Sequence, residues 1–192
     1  PHPLAVADSA LTAWMLAWSG HALRTAPWRL FDANIFHPIP NALAFSEHMV
    51  GAAVLVLPLQ LFGTDPVRDQ NVLLVLTLVL GGVGTVWLVR ELGGSWRAGI
   101  VAGVLCTFGP GRLLYLGHVQ VLACHGMPIA LVFLHRLLRT GRWRDGIGFA
   151  VAFTLQALTS VYHAYYFGVA VGLFVVLHWL LRLPAAPGAR RR

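Results

Sequence analysis

Long apolar runs alternate with short polar stretches over most of this chain. They lie at about 44–63, 71–90, 98–116, 119–137, 146–163 and 166–182. A helix that crosses a bilayer needs roughly 20 consecutive apolar residues, and these runs have about that length. Most of them lack the polar face that a water-soluble helix shows at helical spacing. The pattern therefore predicts an all-α fold, a polytopic transmembrane bundle with five or six apolar helices.

The first 43 residues follow a different pattern. Asp8 and Ser9 precede a stretch whose apolar residues share one helical face: Leu11, Trp14, Met15, Trp18 and Ala22. This spacing predicts an amphipathic helix in the membrane interface, bounded by Gly20 and Pro27. Residues 25–43 hold three prolines and are typical of irregular backbone outside lipid.

Three regions follow from this division. Residues 1–43 form an extramembrane loop with an interfacial helix, 44–183 form the membrane bundle, and 184–192 form a basic, disordered tail. Small residues at 81–84, and at Gly99 and Gly103, predict close helix approach. The sequence Gly109-Pro110-Gly111 predicts a break in the third run.

Composition and charge support the membrane interpretation over a water-soluble bundle. The chain is 57% hydrophobic and 11% charged, whereas soluble domains have about 25% charged residues. All 14 basic residues are Arg, and the formal charge is +7. Such charge sets orientation and contacts anionic headgroups. No basic face with interleaved aromatic residues appears, which argues against nucleic-acid binding.

The distribution of Arg bears on orientation. The basic loop at 136–144 and the tail are separated by two runs, so both can be cytoplasmic. Counting four complete spans before that loop would place residues 1–43 in the cytoplasm as well. If the interrupted run at 98–116 does not span fully, residues 1–43 lie on the non-cytoplasmic side.

Two acids near the start are the candidate catalytic residues. Asp8 fits either a helix N-cap or a general base or cation-binding carboxylate at the membrane surface. Glu47 fits either an acid near the positive end of a helix dipole or a second acid in the same cavity as Asp8. His48 follows Glu47 directly and is a candidate substrate-binding residue.

Other polar residues are candidate substrate contacts with structural alternatives. Asp32 and Asn34 are common turn formers as well as ligands. The three that follow the Gly-Pro-Gly break could line a cavity for a phosphate-linked lipid or form an interfacial loop: Arg112, His118 and Gln120. Tyr162 belongs to an aromatic stretch at 162–166 that suits an interfacial belt or a sugar contact.

Metal and cofactor signals are weak. His118 and His125 are seven residues apart, and no carboxylate or Cys completes a metal set around them. Cys106 and Cys124 lie in apolar runs and are typical of small buried hydrophobic residues. The sequence indicates no organic cofactor and leaves open a divalent cation near the acids.

The order of these features resembles a known group of enzymes. It consists of Asp8, an amphipathic helix, Leu-Phe-Asp-Ala-Asn-Ile-Phe-His-Pro at 30–38, Phe-Ser-Glu-His at 45–48, Gly-Pro-Gly-Arg at 109–112 and Gly-His-Val-Gln at 117–120. It resembles bacterial integral-membrane proteins of the GT-C glycosyltransferase superfamily, whose relatives include protein mannosyltransferases and aminoarabinose transferases. The resemblance corresponds to the N-terminal half of a longer protein.

The resemblance implies a location and an activity. The protein would be a multi-pass component of the bacterial inner membrane, with its first large loop on the non-cytoplasmic side. Asp8 matches the catalytic acid of that loop by position, with Glu47 as a second acid. The implied donor is a sugar on a polyprenyl phosphate, and the acceptor is not indicated. Two other functions stay open, a polar-lipid transporter or flippase and a non-catalytic membrane scaffold on the same fold.

Overall fold

A computed structural model describes residues 3–181, with side chains from residue 8 onward. This part of the chain forms nine α-helices and no strand: α1 Pro3–Thr25, α2 Val50–Leu61, α3 Pro66–Glu91, α4 Trp96–Phe108, α5 Pro110–Leu113, α6 Val119–Leu122, α7 Gly126–Thr140, α8 Trp143–Thr159 and α9 Val161–Leu180. Two 3-10 helices, Pro27–Arg29 and Ala42–Phe45, lie between α1 and α2. The predicted all-α fold is confirmed.

Three stretches are long and apolar enough to cross a membrane: Pro66–Glu91, Val119–Thr140 and Val161–Leu180. The protein is therefore a helical membrane protein. Three of the other runs form shorter helices, with 12 residues in α2, 13 in α4 and 17 in α8. At 1.5 Å per residue, α4 is only about 20 Å long.

Helix α3 is the longest element and the centre of the bundle. Its 26 residues extend about 39 Å, and it packs against α1, α2, α4 and α7. The predicted close approach through small residues is confirmed here. A Cβ on Gly103 of α4 would lie 2.9 Å from Gly82 O, and a Cβ on Gly84 would lie 3.0 Å from Pro128 of α7. Only glycine allows these backbones to pack so closely.

Two of the apolar runs are interrupted. Helix α4 ends at Phe108, and Pro110 opens the four-residue α5, so the predicted Gly-Pro-Gly break is confirmed. The next run is broken as well, because residues 123–125 separate α6 from α7. The Cα of His125 lies 3.8 Å from a Cβ built on Gly81, which is the sixteenth residue of α3. The second break is therefore level with the middle of the longest membrane helix.

Helix α1 is longer than the predicted interfacial helix. It begins at Pro3 and continues through Gly20 to Thr25, so Asp8 lies inside it and the capping interpretation of Asp8 is wrong. Gly20 leaves room for the Gln60 side chain. A Cβ on residue 20 would lie only 1.6 Å from Gln60 Oε1. The predicted apolar face meets the core through Met15, while Leu11 is 45% exposed.

The position of α1 follows from contacts near its two ends. Ser9 lines one cavity together with Asn71 of α3. Arg24 Nη1 donates to Gln60 O at 3.2 Å, near the end of α2. Since a short turn joins α2 to α3, α1 packs across the end of the bundle where α2 finishes and α3 begins. Its buried residues join one core cluster: Met15, Leu16, Leu43, Met49, Ala52, Ala53, Val56, Leu73 and Val119.

The opposite end of the bundle, where α3 and α7 finish and α4 and α8 begin, is called the basic end here. Glu91 at the end of α3 contacts residues 135–139 at the end of α7, so these two helices run parallel. The basic end carries six Arg and two acids: Arg90, Arg97, Arg136, Arg139, Arg142, Arg144, Glu91 and Asp145. Positive charge concentrates on the cytoplasmic side of membrane proteins.

We therefore expect the basic end to face the cytoplasm and residues 26–49 to face the other side. Single cysteines at Phe45 and at Thr140, in a chain with Cys106 and Cys124 replaced, should react with an impermeant maleimide from opposite sides of the membrane. Both positions are exposed. Labelling of both from the same side in intact cells would contradict this topology.

Candidate functional site

Asp8 pairs with a residue 110 positions further along the chain. Its Oδ2 lies 2.9 Å from His118 Nε2. The side chains of Asp8 and His118 are 47% and 33% exposed, so solvent reaches the pair. Ser9 Oγ also donates to Gly117 O at 3.1 Å, which fixes residues 117 and 118 against α1. Both residues were candidates from sequence, but nothing in the sequence paired them.

A cavity of about 290 Å³ opens beside this pair. Its lining combines polar groups with an apolar wall: Ser9, Ala10, Val67, Gln70, Asn71, Leu74, Leu116 and Val119. Asp8 and His118 are the chain neighbours of Ser9 and Val119. The two side chains are not part of the lining themselves, but the cavity next to them in the chain is partly polar and partly apolar, which is common in binding sites.

A carboxylate beside an imidazole is suited to proton transfer. The carboxylate can orient the ring and stabilise the imidazolium that forms when the ring accepts a proton. Alternatively, the carboxylate can accept the proton while the imidazole donates a hydrogen bond to it. Either arrangement gives a general base at a surface that a substrate can reach.

Glu47 binds the start of α9 and not the start of α2, which is the helix that follows it in the chain. Its carboxylate accepts hydrogen bonds from Ser160 Oγ at 3.1 Å and from Val161 N–H at 2.9 Å. These donors lie at the start of α9, where a negative charge is favoured by the helix dipole. Helix α2 begins only at Val50, so Glu47 lies in the loop between α1 and α2 and joins this loop to the α8–α9 junction by hydrogen bonds.

His48 is half-buried next to Glu47. Its Nδ1 accepts the Val50 N–H at 3.3 Å, and its backbone carbonyl accepts a hydrogen bond from Ser19 Oγ at 2.5 Å. Burial lowers the pKa of the imidazole, while the nearby Glu47 charge acts in the opposite direction. A lowered pKa makes His48 neutral at pH 7, which matches its role as an acceptor.

Gln156 of α8 connects the two sides of the break between α6 and α7. Its side-chain amide donates from Nε2 to Ala123 O at 2.7 Å and accepts at Oε1 from Gly126 N–H at 2.8 Å. Gln156 Nε2 also lies 2.9 Å from His163 Nδ1. The residue is 1% exposed. Without water at this depth, backbone groups released by a break need protein partners.

Sequence reasoning did not identify Gln156. The available signal was a single amide within the apolar run at 146–163. Polar residues inside membrane runs commonly bond to neighbouring helices. Its hydrogen-bond partners lie at the break between α6 and α7, in a different apolar run, so the run that contains Gln156 does not reveal them. A Cβ on Gly126 would lie 2.9 Å from this side chain, so glycine at 126 belongs to the same arrangement.

Arg112 also contacts the broken segment. Its guanidinium donates to Leu122 O, and Nη1 lies 3.0 Å from Cys124 Sγ. Arg112 Nε is buried and has no hydrogen-bond partner among the described residues. These contacts give Arg112 a structural role in holding residues 122–124. The expectation that it binds a phosphate-linked lipid stays a prediction.

The remaining candidates lie apart from the Asp8–His118 pair. Asp32 and Asn34 line a separate open cavity of about 500 Å³ in the loop at 29–40. The Asn41 N–H and then the Arg29 side chain lower the pKa of Asp32, because both favour its charged form. Tyr162 lies 63% exposed in the first turn of α9.

Gln120 and the aromatic stretch at 162–166 both lie in helices. Gln120 is half-buried in α6, next to the segment that carries His118. The aromatic stretch at 162–166 lies at the start of α9, which begins at Val161. Among the described residues, no group of three His, Cys, Asp or Glu side chains is arranged to hold a metal ion.

Comparisons of the chain with protein-family models, with curated proteins and with solved structures found no match.

Gln156→Leu should destabilise the bundle. The substitution removes the partners of Ala123 O and Gly126 N, and each buried unpaired group costs about 1–3 kcal/mol. Thermal unfolding in detergent should show a clearly lower midpoint. Gln70→Leu, on a half-buried residue that lines the cavity, is the matched control and should change little. Equal midpoints for the two variants would show that the amide does not hold the break.

Proposed function

We propose that this protein is an integral-membrane glycosyltransferase of the GT-C type. It transfers a sugar from a polyprenyl-phosphate donor to an acceptor hydroxyl at the membrane face away from the basic end. The observation that supports this most is the 2.9 Å contact between Asp8 and His118, whose chain neighbours Ser9 and Val119 line a cavity. A proton acceptor at a membrane surface, beside a cavity with an apolar wall, suits a lipid-linked substrate.

The proposed reaction uses the pair as the general base. The acceptor hydroxyl enters the cavity and gives its proton to the Asp8–His118 pair. Its oxygen attacks the anomeric carbon of the sugar, and the bond between that carbon and the phosphate oxygen breaks. The polyprenyl phosphate leaves with the bonding electrons. General-base catalysis of this kind contributes about 10²–10⁴ in rate.

The leaving phosphate needs a cation, and Arg68 is better placed for this than Arg112. Arg68 lines an open groove of about 500 Å³ along the start of α3. Val67 and Asn71 line both this groove and the cavity beside the pair. Arg68 is exposed, so its guanidinium can bind an incoming phosphate through several N–H groups.

Asp8→Asn should lower transfer by about 10²–10⁴ while the protein still folds. The measurement is release of polyprenyl phosphate from a panel of polyprenyl-phosphate sugars, followed by mass spectrometry in native membranes that contain the acceptor. Asp145→Asn is the control, because Asp145 lies at the basic end, lines neither the cavity nor the groove, and accepts a hydrogen bond from Thr140 Oγ1. It should keep its activity. Full activity in Asp8→Asn would refute the proposed base.

Glu47→Gln provides the comparison within the site. The amide oxygen can still accept from Val161 N–H, so the start of α9 keeps an acceptor. If Glu47 only positions α9, this variant should keep most of the transfer that Asp8→Asn loses. A loss equal to that of Asp8→Asn would give Glu47 a role in the reaction.

Arg68→Gln should raise the KM for the donor more than it lowers kcat. The reason is that Arg68 would bind the phosphate both before and during transfer, and uniform binding appears in KM. Steady-state kinetics over a range of donor concentrations gives both values. Arg97→Gln removes the same charge at the basic end and should leave the KM unchanged. An unchanged KM in Arg68→Gln would reject the assignment.

A further inference from the structure

The basic end contains a buried acid held by two arginines. The Glu91 side chain is 7% exposed. Arg136 binds its Oε2 through Nε and Nη2, both at 2.8 Å, and Arg139 Nη2 lies 3.0 Å from Oε1. His135 Nδ1 lies 3.6 Å from the same carboxylate. Because Glu91 ends α3 and the three cationic residues end α7, this cluster fastens the two helices together.

The cluster carries more positive charge than its acid neutralises. Two guanidinium ions share one carboxylate, which leaves a net charge of +1 even when His135 is neutral. A guanidinium has five N–H donors. Arg136 Nε donates a hydrogen bond to Glu91, and the Nη2 atoms of Arg136 and Arg139 lie within ion-pair distance of the carboxylate. Both side chains are about one-third exposed, so N–H groups remain open toward the end of the bundle.

Aromatic residues place this cluster at headgroup depth. The Arg136 guanidinium lies 5.2 Å from the ring centre of Trp87, and that of Arg90 lies 5.0 Å from Trp96. Trp96 and Trp143 are 64% and 68% exposed at the same end. Tryptophan is enriched where membrane proteins meet the lipid headgroups.

We propose that Arg136 and Arg139, held in place by Glu91, bind the phosphate of an anionic phospholipid. Glu91 neutralises only one of the two guanidinium charges, so the other positive charge is available to a phosphate. Apolar side chains exposed near this end, Ile100 of α4 and Ile147 of α8, offer contacts for acyl chains. A phospholipid can neutralise the excess charge with its phosphate and contact these apolar side chains with its acyl chains, whereas a free phosphate can only neutralise the charge.

The test measures lipid binding to the purified protein by native mass spectrometry in detergent. Dioleoyl phosphatidylglycerol is titrated against dioleoyl phosphatidylcholine. Arg139→Gln should weaken phosphatidylglycerol binding roughly fivefold, the effect expected for one Arg near a charged surface. Arg97→Gln removes the same charge from an exposed residue of the same end and should have a smaller effect. Binding of phosphatidylcholine should not change in either variant.

A second variant distinguishes a lipid-binding site from a cluster that only holds α3 and α7 together. Glu91→Gln removes the acid but keeps both arginines, so phosphatidylglycerol should bind more tightly than to the unchanged protein. Arg139→Lys keeps the charge but loses the planar fork, and its affinity should fall between those of the unchanged protein and Arg139→Gln. This variant also serves if Arg139→Gln does not fold.

Three results would overturn the proposal. Equal losses in Arg139→Gln and Arg97→Gln would show diffuse attraction to the basic end. Weaker phosphatidylglycerol binding in Glu91→Gln would show that the cluster only supports the fold. Displacement of the lipid by millimolar inorganic phosphate would identify a soluble anion as the ligand.

Discussion

The structure depends on how the backbone groups at the break between α6 and α7 find hydrogen-bond partners inside the membrane. The side-chain amide of Gln156 forms hydrogen bonds with a carbonyl on one side of the break and with an N–H on the other. These bonds fix the direction in which residues 117–122 leave the bundle. Together with the Ser9–Gly117 hydrogen bond, they help to hold His118 beside Asp8. The proposed chemistry at the surface thus rests on a hydrogen-bonded backbone about halfway along α3.

Besides the packing of α3 on α7, polar contacts between distant residues join the two halves of the chain. Asp8 meets His118, Glu47 meets the start of α9, and Glu91 meets the end of α7. Each contact links an element of the first 91 residues to one beyond residue 117. Apolar packing in lipid has no hydrophobic driving force between helices, so polar contacts and close glycine packing carry more of the specificity.

Composition and pattern predicted the architecture because lipid imposes strong requirements on a sequence. Apolar runs, small residues on α3 and the Gly-Pro-Gly break all had the expected structural consequence. Helix ends and partners were less predictable. The apolar residues before Asp8 extend α1 beyond its expected start, and Glu47 caps a helix that begins 114 residues later. Gln156 and Glu91 were missed because neither an amide within an apolar run nor an acid just after one reveals which backbone group or charge it meets.

The short length of α4 has a consequence for the membrane itself. At about 20 Å, it is roughly 10 Å shorter than the hydrocarbon layer of a typical bilayer. Its outward side chains, such as Ile100 and Leu105, are apolar and exposed. Hydrophobic mismatch of this size is relieved when the surrounding leaflets thin. A thinned bilayer beside α4 would bring lipid headgroups deeper toward the α5–α6 segment, so a lipid-linked sugar would need less displacement from the membrane to reach Asp8.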